Sequence, residues 1–175
     1  MSPLSVEEYH RLDEFNERGR RTELIRGILI EKISKSPLHS ILSKRLYDII
    51  AHSLPANHLV RREDPHTLAD SEPEPDISTV RGKESDFLGT HPRTAELVVE
   101  VAVSSARLDR ENASLYAEAG VREYWIVLGC DHQIEVHSKP RASAYQEKRL
   151  VQASEILECS TVPGIRISLQ ELFTI

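Results

Sequence analysis

The chain has 175 residues, a net charge of −6 and 39% hydrophobic residues. This length supports a core without disulfides, and the composition excludes collagen-like, coiled-coil and disordered chains. The negative charge excludes a simple basic nucleic-acid-binding domain, whose isoelectric point would exceed about 9. We therefore expect one domain over residues 1–175.

Two features of the sequence predict a cytoplasmic protein that does not bind membranes. No apolar run approaches the roughly 20 residues of a membrane span, and Glu7 and Glu8 stand where a signal peptide would be apolar. Cys130 and Cys159 are too few for a disulfide framework, so we interpret both as small core residues.

The first third of the sequence predicts a helix, a hairpin and a second helix. A capping box begins a helix over residues 6–17. β-Branched residues predict a hairpin within 22–33, with its turn at Gly27. Apolar residues at helical spacing, between two prolines, predict a helix over 37–54.

The remaining sequence predicts a mixed sheet. The aliphatic run 96–103 is typical of a central strand that is buried on both faces. A helix over 107–119 and a buried strand over 123–128 follow, so a right-handed crossover places the two strands in parallel. Further strands are predicted at 58–62, 76–80, 133–137, 144–147 and 150–152, and a terminal turn at 169–173. The predicted fold class is α/β, with a mixed central β-sheet flanked by helices.

Three acidic residues stand out by their surroundings: Glu23, Asp76 and Glu100. Glu100 interrupts an apolar strand, where a lone carboxylate is costly to desolvate and must pair with a base or bind a cation. Asp76 begins a neighbouring predicted strand, and two carboxylates at adjacent strand ends are the hard ligands that Mg²⁺ or Mn²⁺ requires. Both interpretations of Glu100, a buried ion pair and a metal ligand, remain open at this point.

Charged residues are also distributed unevenly. Residues 18–45 contain eight Lys or Arg against two acids, and residues 63–76 contain six acids and neither Lys nor Arg. Such blocks are usually solvated faces. The other interpretation is a phosphate-facing basic surface beside an acidic pocket for a metal cation.

Several segments carry a family resemblance. They are ELIRG at 23–27, P-x-H at 37–39, EPD at 74–76, LVVEV at 97–101 and YAEAGVREYWIV at 116–127. The match covers nearly the whole chain, and the last of these segments is its most specific part. The sequence resembles the Uma-type restriction endonuclease family of the PD-(D/E)XK, restriction-endonuclease-like superfamily. The resemblance implies a restriction-endonuclease-like core and a DNA endonuclease that depends on Mg²⁺ or Mn²⁺.

The resemblance also implies a role for each matched residue. Asp76 would bind the metal directly, Glu100 would be the second ligand and the Val101 carbonyl a third. Glu23 would complete or hold the water shell of the metal. A lysine should orient the attacking water, but the helix position that supplies it in the family is Asn112 here.

Asn112 has no charge, so electrostatic assistance worth a factor of about 10²–10⁴ is expected to be missing unless another lysine provides it. Lys35, Lys44 and Lys83 are the candidates.

Other polar residues near these segments have simpler interpretations. We interpret Asp109 as the cap of the crossover helix, and Arg110 as exposed or paired with Glu100. We interpret His39 as a surface or packing residue.

The sequence leaves three hypotheses. The first is a metal-dependent endonuclease that acts on DNA as a homodimer. The second, motivated by Asn112, is a catalytically silent nuclease-fold module that binds nucleic acid or a partner protein. The third is structural and places Glu100 in a buried salt bridge.

Overall fold

A computed structural model describes residues 3–13, 21–32 and 34–175. The elements in chain order are α1 (Val6–Asp13), β1 (Thr22–Ile25), β2 (Ile28–Glu31), α2 (Pro37–Ser53), β3 (His58–Arg61), β4 (Ile77–Arg81), β5 (Leu97–Ala102), α3 (Ala106–Glu118), β6 (Glu123–Leu128), β7 (Gln133–Arg141), β8 (Ala144–Val151), β9 (Ile156–Glu158), β10 (Arg166–Ser168) and α4 (Leu169–Phe173). A short 3₁₀ helix lies between β4 and β5.

The central sheet has six strands in the order β3-β4-β5-β6-β7-β8. β5 and β6 are parallel and are joined by α3, whereas the other neighbouring pairs are antiparallel. The predicted parallel pair and the mixed α/β sheet are therefore confirmed.

Side chains of β5 alternate between two apolar layers. Leu97, Val99 and Val101 belong to the core on the α2 side, whereas Val98 and Ala102 belong to the core on the α3 side. Glu100 shares the second face because successive side chains of a strand point to opposite sides. The charge that interrupts the apolar run is thereby directed towards α3.

The hairpin of β1 and β2 lies outside the central sheet. Leu24 in β1 is fully buried, and its carbonyl accepts a hydrogen bond of 2.7 Å from the Glu72 backbone nitrogen. This contact holds the hairpin against the acidic segment 63–76 that leads into β4. The hairpin is where the sequence predicts it, with its turn at Arg26 and Gly27.

Several predictions differ from the structure. Residues 14–17 of the first predicted helix lie outside the described residues. The predicted strands 144–147 and 150–152 are one strand, β8, and the predicted terminal turn is the short helix α4. Strands β9 and β10 were not predicted, because three residues each are too few to show an alternating pattern.

The two cysteines differ in their burial. Cys159 is buried as predicted, but Cys130 is exposed, so its interpretation as a core residue is wrong. Cys130 lies in the turn after β6, where the chain leaves the buried strand. Within the described ranges, no helix is long and apolar enough to cross a membrane.

Candidate active site

Asp76 lies immediately before β4, and its carboxylate is almost completely buried. Oδ2 accepts hydrogen bonds from the Val101 backbone nitrogen at 2.8 Å and from His39 Nε2 at 3.0 Å, and Oδ1 accepts one from Lys35 Nζ at 2.6 Å. Burial raises the pKa of Asp76, but His39 and Lys35 outweigh it and hold that pKa well below its usual range. Asp76 is therefore an anion held by three donors.

Glu100 lies beside Asp76 because the antiparallel register pairs Ile77 of β4 with Val99 of β5. The residue before Ile77 is therefore opposite the residue after Val99. Its Oε2 accepts a bond of 3.1 Å from the Asp76 backbone nitrogen, and its Oε1 accepts one of 3.0 Å from the Tyr116 hydroxyl. Desolvation, followed by the negative charges of Asp76, Asp109 and Glu23, raises the pKa of Glu100 well above its usual range.

The environment of Glu100 argues against the structural hypothesis. Among residues 3–13, 21–32 and 34–175, no Lys, Arg or His forms an ion pair with it. Arg110 was predicted to be exposed or paired with Glu100, and it is exposed. The alternative pairing with Glu100 is wrong, because Arg110 projects towards β7 and pairs there with Glu135.

Glu23 comes from the hairpin. Its Oε1 accepts bonds from Lys32 Nζ at 2.9 Å and from the Glu74 backbone nitrogen at 2.7 Å. Lys32 also contacts the Glu74 carboxylate at 3.1 Å. These contacts tie β1, the end of β2 and the residues before Asp76 into one wall.

Helix α3 contributes Asp109 and Asn112, which are three residues apart and therefore share a face. Ser105, not Asp109, occupies the residue before the helix, so the prediction that Asp109 caps it is wrong. Asp109 lies in the first turn and accepts a bond of 2.7 Å from the Ser105 hydroxyl. Burial, helped by the charges of Asp76 and Glu23, raises the pKa of Asp109 to about 6.

Most of these residues line one cleft of about 320 Å³, whereas Tyr116, Arg110 and Glu135 are not part of its lining. It brings together the residues to which the resemblance assigns roles, namely Glu23, Asp76, Glu100, Val101 and Asn112. The sequence interpretation missed His39 and Asp109 as members of the cleft and left Lys35 undecided. Two signals could have found them: His39 ends the P-x-H motif, and Asp109 precedes the most specific matched segment.

Comparisons with known proteins show the family and the fold of the chain. The Uma2 family model, described as "Putative restriction endonuclease", matches residues 6–170. The chain belongs to the Uma2 family. A crystal structure from Anabaena variabilis ATCC 29413, described as "a putative nuclease belonging to DUF820", has a TM-score of 0.82 at 18% identity and covers 98% of each chain. At that identity the likeness shows the fold. No curated protein matches the sequence.

The cleft of this Uma2 protein fits a divalent metal by the chemistry of its donors. Within the described part of the chain, no three His, Cys, Asp or Glu side chains are grouped to hold an ion by themselves. Mg²⁺ commonly uses only one or two protein carboxylates and fills its other positions with water and substrate phosphate. Asp76 and Glu100 meet that requirement, and Asp76 Oδ1, which accepts one bond while Oδ2 accepts two, is the less occupied oxygen.

Proposed function

We propose that this Uma2 protein is a metal-dependent endonuclease that hydrolyses phosphodiester bonds of DNA. The observation that carries the proposal is the adjacency of two carboxylates, Asp76 and Glu100, of which Glu100 forms no ion pair with a base among the described residues. Asp76, Glu100 and the Val101 carbonyl would hold Mg²⁺ or Mn²⁺. When bound, the metal polarises a phosphoryl oxygen and lowers the pKa of a water.

The protein's own residues organise this cleft. His39 and the Val101 backbone nitrogen occupy Oδ2 of Asp76, whereas Oδ1 accepts one bond, from Lys35, and is the oxygen that would also meet a ligand. Tyr116 fixes one oxygen of Glu100. Glu23 is held through Oε1 by Lys32 and the Glu74 backbone nitrogen, and no donor to its Oε2 is found among the described residues, so that oxygen can accept a bond from water in the cleft.

The amino end of α2 borders the same cleft, where Ser36 and His39 are part of its lining. The partial positive charge of a helix amino terminus favours an anion such as phosphate. Because the net charge is −6, few phosphates are contacted, and we expect weak binding with a shallow dependence on salt. Cutting both strands would need two sites, so the proposal includes a homodimer.

Substitution of Asp76 tests the proposal. D76N should abolish Mn²⁺ binding in calorimetry and lower the cleavage of labelled DNA with Mn²⁺ by about 10²–10³-fold or more. The matched control is D48N, because Asp48 is an exposed carboxylate on α2 that pairs with Lys44. Equal Mn²⁺ uptake by wild type and D76N would show that the metal assignment is wrong.

A second candidate function follows from Asn112, which lines the cleft at the position of the family lysine. This candidate is a catalytically silent module that keeps the nuclease fold and binds nucleic acid or a protein. Under it, wild type leaves DNA intact with Mn²⁺, and cleavage appears only in N112K. Cleavage by wild type would exclude it.

A further inference from the structure

We propose that Lys35 supplies the catalytic cation that the family takes from the helix position occupied here by Asn112. The inference rests on the proposed endonuclease function. It concerns the segment that joins β2 to α2, which is separate in sequence from α3.

Lys35 is directed into the cleft. Its Nζ lies 2.6 Å from Asp76 Oδ1 and 2.8 Å from Glu63 Oε1, and its side chain is 22% exposed. The other two candidate lysines lie elsewhere: Lys44 is 68% exposed and pairs with Asp48, and Lys83 precedes the 3₁₀ helix. Neither of them lines the cleft.

Lys32 also lines the cleft, but its hydrogen bonds are used. An ammonium has three N–H donors. Those of Lys32 are taken by Glu23 Oε1, the Glu74 carbonyl and Glu74 Oε2. Lys35, in contrast, donates to two acceptors among the described residues, which leaves one N–H for a water or a phosphate oxygen.

The position of Lys35 also suits the role. Its Nζ contacts Oδ1 of Asp76, the oxygen that we assign to the metal. The positive charge of Lys35 would therefore lie next to a phosphate that binds this metal. Asn112 can donate a hydrogen bond from the opposite wall but has no charge to stabilise the phosphoryl oxygens.

The chemistry needs no further reactant. The oxygen of a water bonds to phosphorus, and the bond from phosphorus to one bridging oxygen breaks. One proton of the water goes to the leaving oxygen, and the other stays on the new phosphomonoester or passes to solvent. Lys35 keeps its proton throughout and acts by orienting the water and stabilising negative charge.

Four variants test the inference: K35Q, K35R, N112K and the double variant K35Q/N112K. K35Q should lower DNA cleavage with Mn²⁺ by about 10²–10⁴-fold while Mn²⁺ binding in calorimetry is retained. K35R keeps the charge and should retain more activity than K35Q. The double variant should regain at least about tenfold over K35Q, because N112K returns an ammonium to the cleft.

K44Q is the matched control, since it removes an exposed lysine from the neighbouring helix. Cleavage by K35Q at the rate of K44Q would overturn the role of Lys35 and leave the endonuclease function standing. If K35Q lost both Mn²⁺ binding and cleavage, the role would also be overturned, because Lys35 would then only hold Asp76 in place. Cleavage by N112K but not by wild type would show that Lys35 does not substitute. No cleavage by any variant would reject the function itself.

Discussion

Two glutamates of the central sheet occupy the same row and have opposite surroundings. Glu100 of β5 and Glu135 of β7 both pair in register with Ile126 of β6, so their side chains are on the same face. Glu135 accepts a bond of 2.8 Å from Arg110 Nε and lies 2.9 Å from Lys148 Nζ. Burial raises the pKa of Glu135, but these two bases outweigh it and lower that pKa to about 2.

The difference separates a structural carboxylate from one that is open to a ligand. Glu135 is neutralised by bases of the chain itself, and it has the ion pair that the structural hypothesis assigned to Glu100. Among the described residues, the donors to Glu100 are neutral, and the charges that raise its pKa are those of Asp76, Asp109 and Glu23. A carboxylate in that state is stabilised by a cation from outside the chain, which is why we place the metal at Glu100 and not at Glu135.

The largest expected effect comes from the same substitution at both positions. E100Q should lower cleavage by about 10²–10³-fold or more and leave the free energy of unfolding unchanged or raised by about 1 kcal/mol, because a desolvated charge is removed. E135Q should lower the free energy of unfolding by about 1–2 kcal/mol, because it removes the charge that pairs with Arg110 and Lys148. The expected loss is small because solvent screens these two half-exposed bases.

Cleavage of labelled DNA and urea denaturation measure the two effects. E135Q should cleave within about threefold of wild type, because it leaves the cleft intact. Equal losses of cleavage in E100Q and E135Q would remove the distinction between the two glutamates.

The second largest expected effect is the loss, at low pH, of the stability that Glu135 contributes. The pKa of Glu135 is about 2 in the folded protein and near its ordinary value of 4.5 when unfolded. A lowered folded pKa contributes stability above the unfolded value, and that stability is lost as the pH falls towards 2. The stability difference between wild type and E135Q should therefore shrink from about 1–2 kcal/mol at pH 6 towards zero near pH 2.

Urea denaturation at several pH values measures that difference. E111Q is the control, because Glu111 is exposed and pairs with the fully solvated Arg107. Its effect should be small at every pH. A difference for E135Q that stays constant down to pH 2 would contradict the lowered pKa.

The two glutamates also show what the sequence could predict. The strand of Glu100 and the crossover helix were predictable because buried strands and helices have local sequence patterns. A charged residue within an apolar strand is also visible in the sequence. Glu135 was not singled out, because its strand is partly exposed and a charge there is ordinary. The α/β fold followed from such local signals, together with the resemblance.

The rest of the cleft depends on contacts between distant parts of the chain. Lys35 and Asp76 are 41 residues apart in the sequence, and no local pattern predicts which residue a lysine side chain contacts at that separation. Asp109 has the residue type of a cap, but Ser105 is the residue before the helix, and Asp109 lies in the first turn, where it lines the cleft. The local surroundings of the carboxylates therefore indicated them, whereas tertiary packing determines which bases reach them.

The smallest expected effect concerns the neutral donor that distinguishes Glu100 from Glu135. Y116F removes the hydroxyl that fixes Oε1 of Glu100, and a bond to a charged acceptor is worth about 1.5–3 kcal/mol, so Mn²⁺ affinity should fall by roughly tenfold. Y145F is the matched control, because its hydroxyl bonds the Val121 carbonyl at 2.8 Å, away from the cleft. Calorimetry should show wild-type Mn²⁺ affinity for Y145F. Equal affinities for Y116F and Y145F would mean that Glu100 needs no donor from α3, and that the sheet alone sets its position.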